Sequence, residues 1–347
     1  MENTQNLTEG NILGSLVRFA VPVLLSLFLQ ALYGGVDLLV VGQFASTADV
    51  SGVATGSMLL QTMTMIVTGL AMGITVVVGE RIGRREPVQA GRAIGSGICL
   101  FGVCAVFLTA VMAGGAETLS VLMHAPEEAL SQTAAYVRIC GAGSVFIVAY
   151  NVLGAVFRGI GDSKTPLFTV AVACVINIAG DLLLVAGFHM GAAGAALATV
   201  AAQAISVLLS FGLIRKKTLP FVFSREFIRF DRRYVVLELK VGIPVALQEF
   251  LVGISFLVIQ MIVNSFGVVF SAGVGVGEKV CSFIMLVPSA YMQSMSAFVA
   301  QNMGARNPGR AKRALGCGIA TSLAAGVVMG YLSFFHGDML ASIFSKD

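Results

Sequence analysis

Apolar runs of about 20 residues alternate with short polar segments along the whole chain. A run of that length crosses the roughly 30 Å hydrocarbon core of a bilayer as a single helix. These runs predict about nine spans, at 16–41, 52–79, 93–113, 133–156, 166–187, 192–213, 236–263, 273–299 and 314–335. The pattern therefore predicts an all-α polytopic membrane protein, because a helix satisfies its own backbone hydrogen bonds in lipid.

The composition supports this class and limits others. Hydrophobic residues make up 57% of the chain and charged residues 12%, whereas soluble domains carry about 25% charged residues. The first segment, MENTQNLTEGN, lacks the basic region of a signal peptide, so we expect the first span to be retained. The six cysteines occur singly, which indicates packing residues and neither disulfides nor metal ligands. No segment is basic and aromatic enough to indicate binding to nucleic acid.

Most of the 22 Lys and Arg residues lie in alternate segments between the spans. These segments join the second and third spans, the fourth and fifth, the sixth and seventh, and the eighth and ninth. The intervening segments, such as QFASTAD and GFHMG, contain none. By the positive-inside rule the basic segments are cytoplasmic. We therefore predict a multi-pass protein of the bacterial inner membrane with a cytoplasmic N-terminus.

The chain also contains an internal repeat. Residues 83–93, GRREPVQAGRA, resemble residues 304–314, GARNPGRAKRA, and the same register pairs Gly52 with Gly273. The repeat unit has six spans. Because six is an even number, both copies enter the membrane in the same orientation, so an axis along the membrane normal relates them.

This repeat divides the chain into three parts. We predict an N-lobe of spans one to six at 1–214, a cytoplasmic linker at 215–235, and a partial C-lobe of spans seven to nine at 236–347. The basic and aromatic linker is typical of a helix on the membrane surface. Since the second copy stops after its third span, we expect the chain to be C-terminally incomplete relative to two full copies.

Four acidic residues fall within predicted spans: Asp37, Asp181, Glu249 and Glu278. A charged group at the centre of a bilayer costs at least about 2.5–3.5 kcal/mol, and such residues usually serve a function. Glu278 is followed by a lysine and is interpreted as half of a neutralised pair. Glu249 has no basic partner nearby in sequence. It either lines a cavity of the second lobe or does not contribute to that cavity.

Asp37 and Asp181 form the stronger candidate pair. Asp181 lies about 15 residues into the fifth span, or about 22 Å from its cytoplasmic start, and Asp37 lies at a similar height in the first span. Asn177 precedes Asp181 by one helical turn and shares its face. Carboxylate and amide oxygens suit a hard monovalent cation or a proton. The alternative is that the carboxylates lie near the outer surface and reach water.

No enzyme motif is present in the sequence. There is no HExxH, no Walker-type GxxxxGK[ST], and no Ser or Cys nucleophile with a base at motif spacing. We therefore expect no cofactor and no metal beyond Na⁺ as a possible coupling ion. An ion gradient would drive any transport.

Three segments together resemble the multidrug and toxic compound extrusion (MATE) family. They are FRGIGDSKTP at 157–166, FAVPVLL…YGGVDLLVVGQF in the first span, and QNMGARNPGRAKRA at 301–314. The resemblance covers the whole chain. It implies a bundle of twelve helices in two six-helix lobes that exchanges organic cations and other drugs for sodium ions or protons.

The N-lobe is similar to the DinF-like and archaeal branch of that family. This likeness implies a cation site at Asp37, Asn177, Asp181 and Thr199. It also implies that Tyr33, Tyr136 and Asn151 are neighbours in a supporting polar network. Pro22 would be the bending point of the first helix.

We therefore expect a monomeric cation-coupled antiporter that works in the lipid bilayer by alternating access. A flippase for lipid-linked precursors is an alternative within transport, but it should line its cavity with several basic residues. Only Arg138 and Lys279 lie inside or close to the later spans. A truncated remnant without transport activity is the alternative from another class.

Overall fold

A computed structural model of the chain describes residues 6–264 and 268–337, and in these ranges its regular elements are all helical. Within residues 257–279 the side chains are described only in part. The helices are α1 (Ile12–Phe44), α2 (Thr47–Gly83), α3 (Pro87–Gly114), α4 (Ala116–Leu122), α5 (Leu130–Ala142), α6 (Ser144–Gly159), α7 (Lys164–Asp181), α8 (Gly191–Lys216), α9 (Arg232–Asn264), α10 (Val268–Gly304) and α11 (Pro308–Phe335).

Polar caps and prolines set where several helices begin. Ser46 and Asp49 form a reciprocal capping box at the start of α2, in which each satisfies a backbone N–H that the helix leaves free. Pro87 and Pro308 stand at the first positions of α3 and α11. Proline fits there because that N–H has no partner within the helix.

The number of spans differs slightly from the prediction. Among the described residues, seven helices are long and apolar enough to cross a membrane, or eight if one bent pair is counted as a span. The prediction of about nine is therefore slightly too high. The fourth predicted span, 133–156, is broken at Gly143, where α5 and α6 meet at 55°. The seventh, 236–263, is the continuous helix α9, and five charged residues interrupt its apolar sequence: Arg232, Arg233, Glu238, Lys240 and Glu249.

The predicted repeat is visible in the helices. Helices α1, α2 and α3 have 33, 37 and 28 residues, and so do α9, α10 and α11 in the same order. Arg85, between α2 and α3, has φ of 59°, and Arg306, between α10 and α11, has φ of 55°. Few residues other than glycine adopt this left-handed conformation. The same turn therefore recurs at the same place in both copies.

The two copies pack together at the end of the bundle that carries the basic segments. A Cβ added to Gly83 would lie 2.0 Å from the backbone oxygen of Gln301, and one added to Gly304 would lie 2.1 Å from the backbone oxygen of Glu80. These reciprocal contacts allow the ends of α2 and α10 to cross at backbone distance. Nearby, buried side chains of α1 such as Phe19 pack against α10. This end of the bundle is therefore closed.

Candidate functional site

Three helices bring the four predicted cation-site residues together. The hydroxyl of Thr199 on α8 donates to Oδ2 of Asp37 on α1 across 3.2 Å. The amide of Asn177 on α7 donates to the same hydroxyl oxygen across 3.3 Å. Asp181 lies one turn after Asn177, and its carboxyl is a close neighbour of that of Asp37. Residues separated by up to 162 positions thus form one cluster.

The cluster is buried and, among the described residues, rich in oxygen atoms that have no partner. The four residues are almost fully buried, with exposed fractions of 5%, 0%, 0% and 4% for Asp37, Asn177, Asp181 and Thr199. Among the described residues, Oδ1 of Asp37, Oδ1 of Asn177 and both carboxyl oxygens of Asp181 accept no hydrogen bond. Two buried carboxylates this close cannot both stay ionised without a compensating positive charge. The arrangement therefore suits a shared proton or one oxygen-coordinated cation.

Local sequence explains why α7 and α8 come this close. Small residues dominate the start of α8, GAAGAALAT, and small side chains let helices approach each other in lipid. A Cβ added to Gly180 would lie 2.9 Å from the Cβ of Ala198, so glycine is needed at this contact. Directly after Asp181 the helix widens into a π-turn at Leu182–Gly187. Such π-turns are frequent at functional sites.

Two of the predicted supporting residues lie beside the cluster. Tyr33 precedes Asp37 by one helical turn, and its hydroxyl lies next to the side chain of Gln203. Tyr136 is 2% exposed and packs with Val40 and Val41 of α1. Sequence reasoning missed Gln203. Its position four residues after Thr199, on the same face of an apolar helix, was the available signal.

Asn151 lies apart from the carboxylates. Its carbonyl oxygen accepts from the hydroxyl of Thr68 across 3.0 Å, and its amide donates to the backbone oxygen of Ile147 across 2.8 Å. The side chain borders a separate cavity that also contains Arg158. Asn151 thus joins another group of polar residues.

The remaining predicted positions have simpler surroundings. Pro22 lies inside the continuous helix α1, and its backbone oxygen accepts from the hydroxyl of Ser26 across 2.8 Å. Glu249 is half-buried on α9, and among the described residues it has no hydrogen bond or ion pair. The side chain of Glu278 lies outside the described residues.

Comparisons with known proteins agree on one family. A family model described as MatE matches residues 22–183 and 244–347. The probable multidrug resistance protein YoeA of Bacillus subtilis is 28% identical over 350 residues, which cover 98% of this chain and 75% of that protein. Crystal structures described as MATE in the straight and in the bent conformation are each 21% identical, with TM-scores of 0.88 and 0.87. Each alignment covers 99% of this chain, and it covers 78% of the chain in the straight conformation and 77% of the chain in the bent one.

Proposed function

The chain belongs to the MatE family of membrane transporters, and from this we propose that it is an antiporter that exports organic cations and other drugs in exchange for protons or sodium ions. The single observation that carries the coupling is the buried pair of Asp37 and Asp181, whose carboxyls face each other with three of their four oxygens unpartnered among the described residues. The name of the YoeA relative supports drugs as the substrate class.

Ion binding lowers the cost of holding the two carboxylates together. A proton shared by Asp37 and Asp181, or a sodium ion held by their oxygens with Asn177 and Thr199, neutralises a repulsion that burial strengthens. The bound ion thereby holds α1, α7 and α8, which carry these residues, in a single arrangement. A ligand shifts a conformational equilibrium only by its differential affinity for the two states. The ion therefore favours the state in which α1, α7 and α8 converge.

Helix α1 is the element that moves in this proposal. Pro22 has no backbone N–H, so the carbonyl of Arg18 lacks its usual helical partner and the helix bends there at low cost. Straight and bent conformations are both described for a solved relative, which supports two states of this chain as well. Bending of α1 would move Asp37 relative to Asp181 and change the geometry of the ion site.

The direction of transport follows from the topology that we propose. With the N-terminus and the basic segments in the cytoplasm, the end closed by Gly83 and Gly304 faces inward, so this conformation is closed towards the cytoplasm. Residues 1–214 and 236–347 would move as two lobes joined by the linker at 215–235. Ion binding would favour this inward-closed conformation, from which the drug leaves to the outside, and release of the ion would allow the return.

Transport by single-residue variants tests the proposal. In vesicles that contain the complete protein, Asp37→Asn and Asp181→Asn should each reduce ion-driven efflux of a fluorescent organic cation at least tenfold. Glu117→Gln is the matched control, since Glu117 is an exposed acid paired with Arg138 across 2.8 Å outside the site. Proton and sodium gradients imposed separately identify the coupling ion. Unchanged efflux in both site variants overturns the proposal.

A further inference from the structure

An open cleft rich in arginine lies at the closed end of the bundle, where the end of α2 meets the start of α9. Among the described residues, its lining contains four arginines and one acid, Glu80. The arginines are Arg81 and Arg84 at the end of α2 and Arg232 and Arg233 at the start of α9. Helix α2 belongs to the first copy of the repeat and α9 to the second. This arginine cleft therefore joins the two copies.

The backbones of α2 and α9 hold these like charges close together. A Cβ added to Gly73 would lie 2.1 Å from the backbone oxygen of Glu238, and one added to Gly242 would lie 2.5 Å from the backbone oxygen of Leu70. These contacts lie about two helical turns from the arginine cleft. They also show that the two helices run in opposite directions, because the later residue of α2 meets the earlier residue of α9. Helix packing therefore brings the arginines together although their charges repel.

On the side of α2 the arginines are already paired. Glu80 pairs with Arg84, and Glu86 pairs with Arg81 across 3.0 Å. Arg81 is 6% exposed, and its guanidinium lies over the ring of Tyr234 at 5.8 Å from the centroid. Its Nε is buried without an acceptor among the described residues. One wall of the cleft thus holds a fixed guanidinium with spare donor capacity.

On the side of α9 the arginines have no acid of their own. The nearest acid in sequence is Asp231, and its Oδ1 accepts from the backbone N–H of Arg233 across 3.0 Å, which caps the helix. The side chains of Arg232 and Arg233 are exposed and make no hydrogen bond or ion pair with any described residue. The acids around the cleft thus leave these two guanidinium groups without an anionic partner.

The repeat itself does not require arginine at these positions. In the register of the repeat, the four arginines correspond to the neutral residues Asn302, Ala305, Gly10 and Asn11. At that end of α10 the guanidinium of Arg310 finds its acceptors within the chain, the backbone oxygens of Glu9 and Gly10, each across 2.7 Å. The first copy of this helix contact carries four arginines and lacks such acceptors for two of them. A bound anion would supply the missing oxygen atoms.

A phosphate group matches the chemistry of the arginine cleft. A guanidinium binds phosphate through two parallel hydrogen bonds, and a phosphate has enough oxygens to accept from more than one arginine. Basic pockets between helices on the cytoplasmic side are typical sites for anionic lipid headgroups. The cleft is also lined by Val236 and Leu237, and Val236 is exposed. An apolar border beside a cationic cleft favours a lipid as the source of the phosphate.

We propose that the arginine cleft binds a phosphate group, supplied by the headgroup of an anionic lipid, and that this phosphate holds the ends of α2 and α9 together. Because the two pairs of arginines belong to different copies, one phosphate contacts both pairs only while this end of the bundle is closed. The lipid therefore favours the closed conformation, since a ligand stabilises the state that it binds more tightly. This regulatory site lies apart from Asp37 and Asp181, and its occupancy requires no ion gradient.

Lipid binding to the full chain tests the proposal. Native mass spectrometry of the chain in detergent measures the binding of phosphatidylglycerol and of phosphatidylcholine at equal concentrations. Phosphatidylglycerol should bind more tightly. The double variant Arg232→Gln/Arg233→Gln should weaken its tightest binding at least about tenfold, the loss expected when charge-assisted hydrogen bonds are removed. The matched control is Lys312→Gln/Arg313→Gln, which removes the same charge from exposed positions of α11 outside the cleft.

Further measurements identify the source of the phosphate and its effect on the closed end. Glycerol 3-phosphate should leave phosphatidylglycerol bound if the lipid is the source, whereas displacement would assign the phosphate site to soluble phosphate compounds. In nanodiscs, phosphatidylglycerol should slow the labelling of a single cysteine placed between α2 and α10 several-fold relative to phosphatidylcholine. Arg232→Gln/Arg233→Gln should abolish this difference. Equal labelling of the wild type in the two lipids would show that the phosphate does not hold this end closed.

The outcomes for binding are equally definite. Equal affinity of the wild type for the two lipids overturns the site, and so does undiminished binding of phosphatidylglycerol in the folded double variant. Should the double variant unfold, Arg232→Gln and Arg233→Gln should each weaken binding to a lesser degree, and unchanged binding in both would also overturn it. Asp37→Asn should leave lipid binding intact, so a failure of ion coupling is distinct from a failure of the arginine cleft.

Discussion

The hydroxyl of Thr199 donates a hydrogen bond to Oδ2 of Asp37 across 3.2 Å, although 162 positions separate the two residues. The hydroxyl oxygen of Thr199 in turn accepts from the amide of Asn177, so Thr199 connects the helix of Asp37 to the helix of Asp181. A hydroxyl can donate one hydrogen bond and accept two. Thr199 therefore fixes the orientation of both polar partners and leaves Oδ1 of Asp37 free for an ion.

Removing this hydroxyl should weaken the ion site without disturbing the packing. Thr199→Val has nearly the same shape but cannot donate, and a hydrogen bond to a charged group contributes about 1.5–3 kcal/mol. The ion concentration that gives half-maximal efflux should therefore rise about 10- to 100-fold. Thr199→Ser keeps the hydroxyl and should behave like wild type. An unaltered ion dependence in Thr199→Val would show that the bridge has no part in ion binding.

The rise per residue and the helical periodicity predicted part of this site from the sequence. It placed Asp37 and Asp181 at one height and put Asn177 on the face of Asp181, and the structure brings these three together. Thr199 came only from the family resemblance, since its apolar surroundings in α8 give no local signal of a partner on α1. Gln203 was missed although it lies one turn after Thr199 on the same face of α8. Contacts between distant helices depend on their crossing geometry, which periodicity does not specify.

Arg158 shows that the sequence alone does not decide which charged residues lie in the polar segments between spans. Arg158 lies between the fourth and fifth predicted spans, in a segment that the charge pattern assigns to the cytoplasm. In the structure it occupies the last turn of α6 and lines a cavity. The carboxylate nearest to Arg158 in sequence is that of Asp162, and it pairs with Lys217, which lies 55 positions away. The sequence alone does not show which cation pairs with which acid.

Adding a methyl group at the closed end should open it. In Gly83→Ala the new Cβ would meet the backbone oxygen of Gln301, which cannot rotate away. Overpacking of this kind destabilises the closed packing by about 1–3 kcal/mol. The opened state does not contain this strain, because the two copies are separated there. The variant should therefore populate the opened end more, measured as faster labelling of a cysteine placed in the interface. Gly316→Ala on α11 has open space around its new Cβ and should label like wild type.

The pair of Asp162 and Lys217 should matter for stability more than an ordinary surface ion pair. Asp162 is 1% exposed by side chain and Lys217 is 24% exposed. Breaking a buried pair costs about 3–5 kcal/mol, and the partial exposure of the lysine places Asp162→Asn near the lower end. Unfolding in a denaturing detergent measures this change. In Lys217→Met the carboxylate has already lost its partner, so adding Asp162→Asn should cost much less than it does alone, and equal costs would contradict the coupling.

Glu238 should make the stability of the folded chain depend on pH. The residue is 1% exposed where α9 packs against α2 and α3, and neither carboxyl oxygen has a partner among the described residues. An exposed glutamate is ionised above about pH 4.3, so burying Glu238 at pH 8 requires either an unpaired charge or the uptake of a proton. Both cost free energy that is absent at low pH and grows as the pH rises.

Glu238→Gln removes this cost while keeping the shape of the side chain. The variant should be more stable than wild type at pH 8, and the difference should shrink by up to about 1.4 kcal/mol for each pH unit on acidification, the free energy of one proton. Melting temperatures in detergent between pH 5 and pH 8 measure it. Glu249→Gln on the same helix is the matched control, because Glu249 is only half-buried and its replacement should change the pH dependence less. A constant difference between Glu238→Gln and wild type across this range would mean that Glu238 takes up no proton when the chain folds.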